Sequence, residues 1–122
     1  MPWVHSNRPK TLSSPVRILL DECLPKGLKR ELPGLTVRTV PEMGWASKRN
    51  GELLALADAQ FDVFVTVDRN LSFQNDVHRF TVAVVLLRAT GNRLVDLRPL
   101  VPELIATMAR VSPGGVFPVG PA

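Results

Sequence analysis

The chain alternates between apolar, β-branched runs and segments with helical periodicity. Four segments have the composition of strands: residues 16–20 (VRILL), 35–40 (LTVRTV), 62–67 (DVFVTV) and 81–87 (TVAVVLL). Three segments repeat their leucines at helical spacing: residues 24–32, 51–60 and 94–110. Continuous apolar strands that alternate with helices form parallel sheets covered on both faces. The pattern therefore predicts a three-layer α/β/α fold around a mainly parallel sheet of four or five strands.

The two ends of the chain lack this periodicity. Residues 1–15 contain three prolines among polar side chains, and residues 112–122 contain three prolines and three glycines. We therefore expect a flexible N-terminal arm at 1–15, one folded domain at 16–111 and a flexible C-terminal tail at 112–122.

Composition narrows the class of protein. The chain has 122 residues, of which 45% are hydrophobic and 21% charged, as in one ordinary globular domain. It contains no apolar run of the ~20 residues that a membrane helix needs, and its first residues lack the apolar core of a signal peptide. A single cysteine, Cys23, excludes a disulfide framework. We expect a cytoplasmic protein without membrane contacts.

The net charge of +4 is unevenly distributed along the chain. Residues 1–20 carry three basic and no acidic side chains, residues 21–68 carry six basic and eight acidic ones, and residues 69–122 carry six basic and three acidic ones. An acidic centre between basic flanks is compatible with an acidic site that a polyanion approaches. A solvated surface with no such role is the alternative.

Acidic residues follow two of the predicted strands. Asp21 and Glu22 end the first, and Asp68 ends the third with Asn70 close behind, while Glu52 opens the helix between them. Ligands collect at the carboxyl ends of parallel strands, so these side chains should converge there. Clustered carboxylates usually share a cation, and oxygen ligands favour Mg²⁺ or Mn²⁺. Such a site supports hydrolysis of a phosphodiester bond.

Each of these acids also has a purely structural interpretation. Asp21 and Asp68 could each be the N-cap of a following helix, which for Asp21 would begin near Leu24, and Glu52 could only favour the dipole of its helix. Three further residues are expected to have no chemical role: Cys23 as a buried structural thiol, and Asp58 and Asp62 as surface charges.

Four stretches together resemble a known family: RILLDECLPKGLKREL (17–32), VRTVPEMGW (37–45), NGELLALA (50–57) and FDVFVTVDRNL (61–71). They resemble the small bacterial PIN-like proteins, relatives of the VapC-type toxin ribonucleases, over about residues 16–108. The resemblance implies a PIN-like fold that binds Mg²⁺ or Mn²⁺ through four acidic or amide residues and cleaves single-stranded RNA.

Carried onto this chain, the resemblance assigns the catalytic acids to Asp21, Glu52 and Asp68. The metal ligands would be Asp21 with Glu22, then Glu52, Asp68 and Asn70. Asn50 is a rival of Glu52 for the position on the helix. Because the fourth position holds an amide rather than an acid, it contributes one negative charge fewer to the site.

The same resemblance implies partners. We expect single-stranded RNA to lie against a basic rim, a small cognate antitoxin to cover the acidic cleft, and the protein to form a homodimer. The predicted rim consists of Lys48, Arg49, Arg69, Arg79, Arg88 and Arg93.

Two other functions compete with the ribonuclease. One is a catalytically inert PIN-like module that binds RNA or a partner protein. The other is a response-regulator receiver, which also carries acids after its first and third strands. A receiver additionally needs a lysine after a later strand, and no lysine follows Lys48 here.

Overall fold

Five parallel strands form a single sheet in the computed structural model, which describes residues 16–71 and 77–121. The predicted N-terminal arm, residues 1–15, lies outside the described residues. The order across the sheet is β2-β1-β3-β4-β5, and every neighbouring pair is parallel. The strands are β1 (Arg17–Leu20), β2 (Thr36–Thr39), β3 (Val63–Thr66), β4 (Ala83–Leu87) and β5 (Val116–Val119). The predicted fold class, an α/β protein with a parallel sheet between helical layers, is confirmed.

The helices connect the strands and are shorter than their sequence periodicity predicts. The described helices are α1 (Gly27–Arg30), α2 (Asn50–Gln60), α3 (Leu94–Leu97) and α4 (Val101–Thr107), with 3₁₀ turns at Val77–Arg79 and Arg98–Leu100. The predicted helix at 94–110 is divided because Pro99 and Pro102 each start a new helical turn. Around α1, bonds such as Leu28 N–H to Pro25 O (3.1 Å) tighten the chain into single turns.

Alternate side chains of the strands pack into two separate cores. Ile18 and Leu20 of β1 face the layer that contains α1, α3 and α4, whereas Leu19 faces α2. β3 divides its side chains in the same way, with Val63 and Val65 on the first face and Phe64 on the second. Because both faces of the sheet are covered, the central strands β3 and β4 carry apolar side chains at almost every position.

The segment predicted to be a flexible tail contains the fifth strand. Residues Val116–Val119 pair with β4, and Arg88 N–H donates to Val119 O at 2.8 Å. Val119 is fully buried in the first core. Proline is tolerated here because Pro118 lies on an edge strand, where its missing N–H breaks no ladder bond. The described part of the domain therefore extends to residue 121.

Two acids predicted to be surface charges instead hold the ends of strands. Asp62 is fully buried, accepts the Arg17 N–H at 2.8 Å and forms an ion pair with the Arg17 guanidinium at 3.3 Å. Asp58 is half-buried and accepts bonds from the N–H groups of Thr81 and Val82, both at 2.8 Å. Neither role is visible in the local sequence because each partner is distant along the chain.

Both edges of the sheet discourage pairing with a further strand. On β2, the Thr39 N–H donates to Glu42 Oε1 at 2.8 Å, and Lys29 holds the same carboxylate at 2.8 Å. The Lys29 ammonium lowers the pKa of Glu42, so this cap stays charged at neutral pH. On β5, Pro118 offers no N–H. Within residues 16–71 and 77–121, no helix is long and apolar enough to cross a membrane.

Candidate active site

The candidate site lies where the connections leave the sheet in opposite directions. β1 and β3 are neighbours at the centre, but β1 leads to β2 on one side and β3 leads to β4 on the other. Ligands of open α/β sheets bind at the carboxyl ends of the strands at such a switch point. Asp21 follows β1 and Asp68 follows β3, so both lie at this edge. The Asp21 N–H extends the ladder by donating to Val65 O at 3.0 Å.

Neutral donors surround the Asp21 carboxylate, whose residue is only 8% exposed. Its Oδ1 accepts the Glu22 N–H at 2.8 Å. Its Oδ2 accepts the Thr66 hydroxyl at 2.7 Å and the Cys23 thiol at 3.4 Å. Asp21 does not cap α1, which begins six residues later at Gly27. The carboxylate is therefore fixed in position by neutral groups, and no basic side chain of residues 16–71 and 77–121 forms an ion pair with it.

Thr66 links the two aspartates. Its hydroxyl donates to Asp21 Oδ2 and accepts the Asp68 N–H at 3.0 Å, and the residue is fully buried. Thr66 was not among the site residues predicted from the sequence. The one signal in the sequence is that it is the only polar residue in the apolar run 63–67. In the structure, the pairing of Leu20 with Val65 puts the next residues, Asp21 and Thr66, side by side.

The Asp68 carboxylate is held by two amides of different origin. Oδ1 accepts the backbone N–H of Asn70 at 2.9 Å, a local turn contact. Oδ2 accepts the Asn50 side-chain amide at 3.2 Å. Asn50 is the first residue of α2, so this helix begins at the site and its N-terminal partial charge favours a nearby carboxylate.

Of the two rivals on the helix, Asn50 contacts Asp68, whereas Glu52 pairs with Lys48. Glu52 Oε2 lies 3.4 Å from Lys48 Nζ, and its side chain is 59% exposed. Glu22, also predicted as a ligand, uses Oε1 to accept the Ser47 N–H at 2.7 Å and so holds the loop before α2. Asn70 reaches Asp68 through its backbone.

The donor set fits one hydrated ion better than a carboxylate-rich centre. No basic side chain of the described residues lies within 4.0 Å of the Asp21 or Asp68 carboxylate. The same residues contain no group of three or more His, Cys, Asp or Glu side chains able to hold a metal ion. Two carboxylates with an amide nearby match Mg²⁺, which keeps several waters and uses one or two protein carboxylates.

Cys23 behaves as a structural thiol beside this site. Burial raises the pKa of the Cys23 thiol above its ordinary value, and the nearby Asp21 charge raises it further. The thiol therefore stays protonated at neutral pH, where it can donate to Asp21 and is a poor nucleophile.

Two of the six residues of the predicted basic rim line one groove, and the other four do not. Arg69 and Arg88 line a groove at the carboxyl edge of the sheet. The other four lie elsewhere: Lys48 pairs with Glu52, Arg49 precedes α2, Arg79 lies 4.9 Å from the Phe80 ring centre, and Arg93 pairs with Asp96 at 3.3 Å.

Comparison with known proteins adds no relative. No family model, curated protein or solved structure matches this chain. The resemblance to PIN-like proteins stays a prediction from the sequence. The strand order 2-1-3-4-5 is also that of receiver domains. However, β5 is followed by Gly120 rather than lysine, so the receiver interpretation gains nothing from the shared order.

Proposed function

We propose that the protein hydrolyses phosphodiester bonds of single-stranded RNA with one Mg²⁺ or Mn²⁺ ion held by Asp21 and Asp68. The observation that supports this most strongly is the Asp21–Thr66–Asp68 chain at the switch point of the sheet. The choice of RNA as substrate comes from the resemblance to PIN-like proteins.

Burial makes the Asp21 charge costly unless a positive charge lies nearby. A carboxylate removed from water is stabilised by an ionic partner or a metal, because neutral hydrogen bonds replace only part of its hydration. Asp21 is 8% exposed and has only neutral partners among the described residues. Asp21 and Asp68 would hold a divalent ion, which would supply the missing positive charge.

The protein's own residues would then orient the site. Thr66 keeps the two aspartates in a fixed relation, and Asn50 holds Asp68 through Nδ2 while its carbonyl oxygen remains an available oxygen ligand. A bound ion would activate water and neutralise charge that develops on the phosphate. Glu52 has no part in this scheme, because Lys48 pairs with its exposed carboxylate.

A second candidate is a module with this fold that binds RNA or a protein without hydrolysing it. The observation that favours it is the small number of charges at the site. Amides occupy positions 50 and 70, and Glu52 does not contact the aspartates. One ion with two carboxylate ligands would be held more weakly than one in a site with three or four.

We further propose that a small antitoxin controls the enzyme and that the protein acts as a toxin in the cell. A basic side chain of that partner, placed between Asp21 and Asp68, would supply the same positive charge as the ion. A homodimer would use helical surfaces, because Glu42 and Pro118 discourage continuation of the sheet at either edge.

The test is cleavage of a fluorescent single-stranded RNA with Mn²⁺, with EDTA, and with two matched variants. The wild type should cleave with Mn²⁺ and stop with EDTA. Asp68→Asn should reduce cleavage at least about a hundredfold, because it removes one of two ligand charges. Glu52→Gln removes the same charge on the nearby helix and should retain the wild-type rate.

Equal cleavage by wild type and Asp68→Asn would mean that a contaminating nuclease acts and would refute the proposed site. Absence of cleavage by every preparation, with RNA still bound, would favour the second candidate. Co-expression with the neighbouring small reading frame tests the toxin proposal, which fails if that product neither co-purifies nor changes the activity.

A further inference from the structure

A groove of about 560 Å³ opens at the carboxyl ends of β3, β4 and β5, next to the candidate site. Arg69, which follows Asp68 directly, lines it together with Arg88 from the end of β4. Other lining residues are mixed in character: Thr90 and Asp96 are polar, and Pro99 and Leu100 are apolar. The groove is therefore chemically asymmetric, with two guanidinium groups, one carboxylate and an apolar wall.

The protein's own backbone holds the Arg88 guanidinium in place. Its Nε and Nη2 both donate to Gly120 O, at 3.1 and 2.6 Å. Gly120 has a positive φ of 100°, and a Cβ there would come within 2.6 Å of Arg88 O. Only glycine allows the backbone of residue 120 to lie this close to the backbone of Arg88. The Gly120 carbonyl oxygen is thereby placed where it holds the Arg88 guanidinium. The Nη1 group makes no hydrogen bond to the described residues.

Asp96 is held with similar precision on the other side. Its side chain is 14% exposed, and Oδ2 accepts the Arg93 N–H at 3.2 Å. A Cβ at Gly91 would lie 2.5 Å from the same oxygen, so a larger residue there would displace the carboxylate. Oδ1 makes no hydrogen bond to the described residues and can accept one from a ligand.

We infer that this groove is a subsite for one nucleotide of the RNA strand, with its phosphate against Arg69 and Arg88. Guanidinium groups bind phosphate oxygens in pairs, and the wall of Pro99 and Leu100 offers a face for the base. Asp96 Oδ1 accepts a ribose hydroxyl, the group that distinguishes RNA from DNA. The inference rests on the proposed function, because it assumes that an RNA strand bound at the aspartates continues into the groove.

The test is an NMR titration of the full chain with 5′-AMP in EDTA, so that neither a metal ion nor catalysis contributes. The amide signals of residues 88–91, 96 and 100 should shift. Arg69→Gln should weaken binding about tenfold, because one charge-assisted contact to phosphate is lost. Arg38→Gln, the same change on the far edge strand β2, should leave the affinity unchanged.

Inorganic phosphate and 5′-dAMP should both bind more weakly than 5′-AMP, since each lacks groups that the groove contacts. Three results would overturn the inference. They are amide signals of the groove that do not shift, an equal loss of affinity in Arg69→Gln and Arg38→Gln, and equal affinity for phosphate and 5′-AMP. Failure of RNA cleavage with AMP binding intact would count against the hydrolytic proposal and not against the subsite.

Discussion

Thr66→Val tests whether the buried hydroxyl holds the two aspartates together. Valine has nearly the shape of threonine but can neither donate to Asp21 nor accept from the Asp68 N–H. At a fully buried position, the variant removes the contacts of 2.7 and 3.0 Å with the two aspartates and a longer one of 3.8 Å with the Cys23 thiol. The matched control is Thr66→Ser, which keeps the hydroxyl and removes one methyl group.

The expected magnitude follows from the two contacts. A hydrogen bond to a charged group contributes roughly 1.5–3 kcal/mol, and a buried N–H left without an acceptor costs about 1–3 kcal/mol. Because these terms overlap and the extra methyl of valine offsets part of them, we expect Thr66→Val to lower the free energy of unfolding by about 2–4 kcal/mol. Thr66→Ser should lose about 1 kcal/mol, the value of one buried methyl group.

The assay combines urea unfolding, followed by circular dichroism, with Mn²⁺ titration of each variant by calorimetry. Thr66→Val should also weaken Mn²⁺ binding about tenfold or more, because the ligands lose their fixed relation. Thr66→Ser should bind Mn²⁺ like the wild type. A Thr66→Val protein as stable as the wild type, or a serine variant as unstable as the valine one, would refute the reasoning.

Three further predictions concern buried or coupled groups. Asp62→Asn should cost about 2–4 kcal/mol in urea unfolding, because it weakens a buried ion pair with Arg17, whose own side chain is one-third exposed; a negligible change would contradict this role. Cys23 should react slowly with iodoacetamide at pH 7.5. Because the pKa of its thiol is raised in the folded protein, the wild type should lose stability relative to Cys23→Ser as the pH rises above about 9. Profiles of Tm against pH that run parallel for the two proteins would contradict the raised pKa. Asn50→Asp should place a third negative charge at the site, beside Asp68 Oδ2, and so lower the Tm of the metal-free protein. Addition of Mn²⁺ should raise the Tm of this variant again. A Tm that Mn²⁺ does not change would argue against an ion at this position.

The strands could be predicted where composition and burial agree. β3 and β4 are continuous apolar runs, and their burial on both faces leaves no other arrangement for such segments. β5 was missed because its four residues include Pro118 and lie between glycines, a composition typical of loops. Only the parallel pairing with β4, a contact distant in sequence, makes this segment a strand.

The site could be predicted where its residues follow directly after strands that were themselves predicted. Asp21 and Asp68 follow apolar runs, and the rule for parallel sheets brings them to one edge. Thr66 depends on the register between β1 and β3, which a single sequence does not reveal. The choice of Asn50 over Glu52 depends on where α2 begins and on its distance from Asp68, because both side chains are polar and both lie in the first turn of the helix.

The central claim, a divalent ion between Asp21 and Asp68, is tested most directly by a crystal soaked in Mn²⁺ and measured for anomalous scattering. The account predicts one peak at the carboxyl edge of β1 and β3, with oxygen atoms of both aspartates about 2.0–2.3 Å away and waters completing the coordination. Mn²⁺ absent from this position at millimolar concentration, or bound only by Glu52 or Glu22, would contradict the claim.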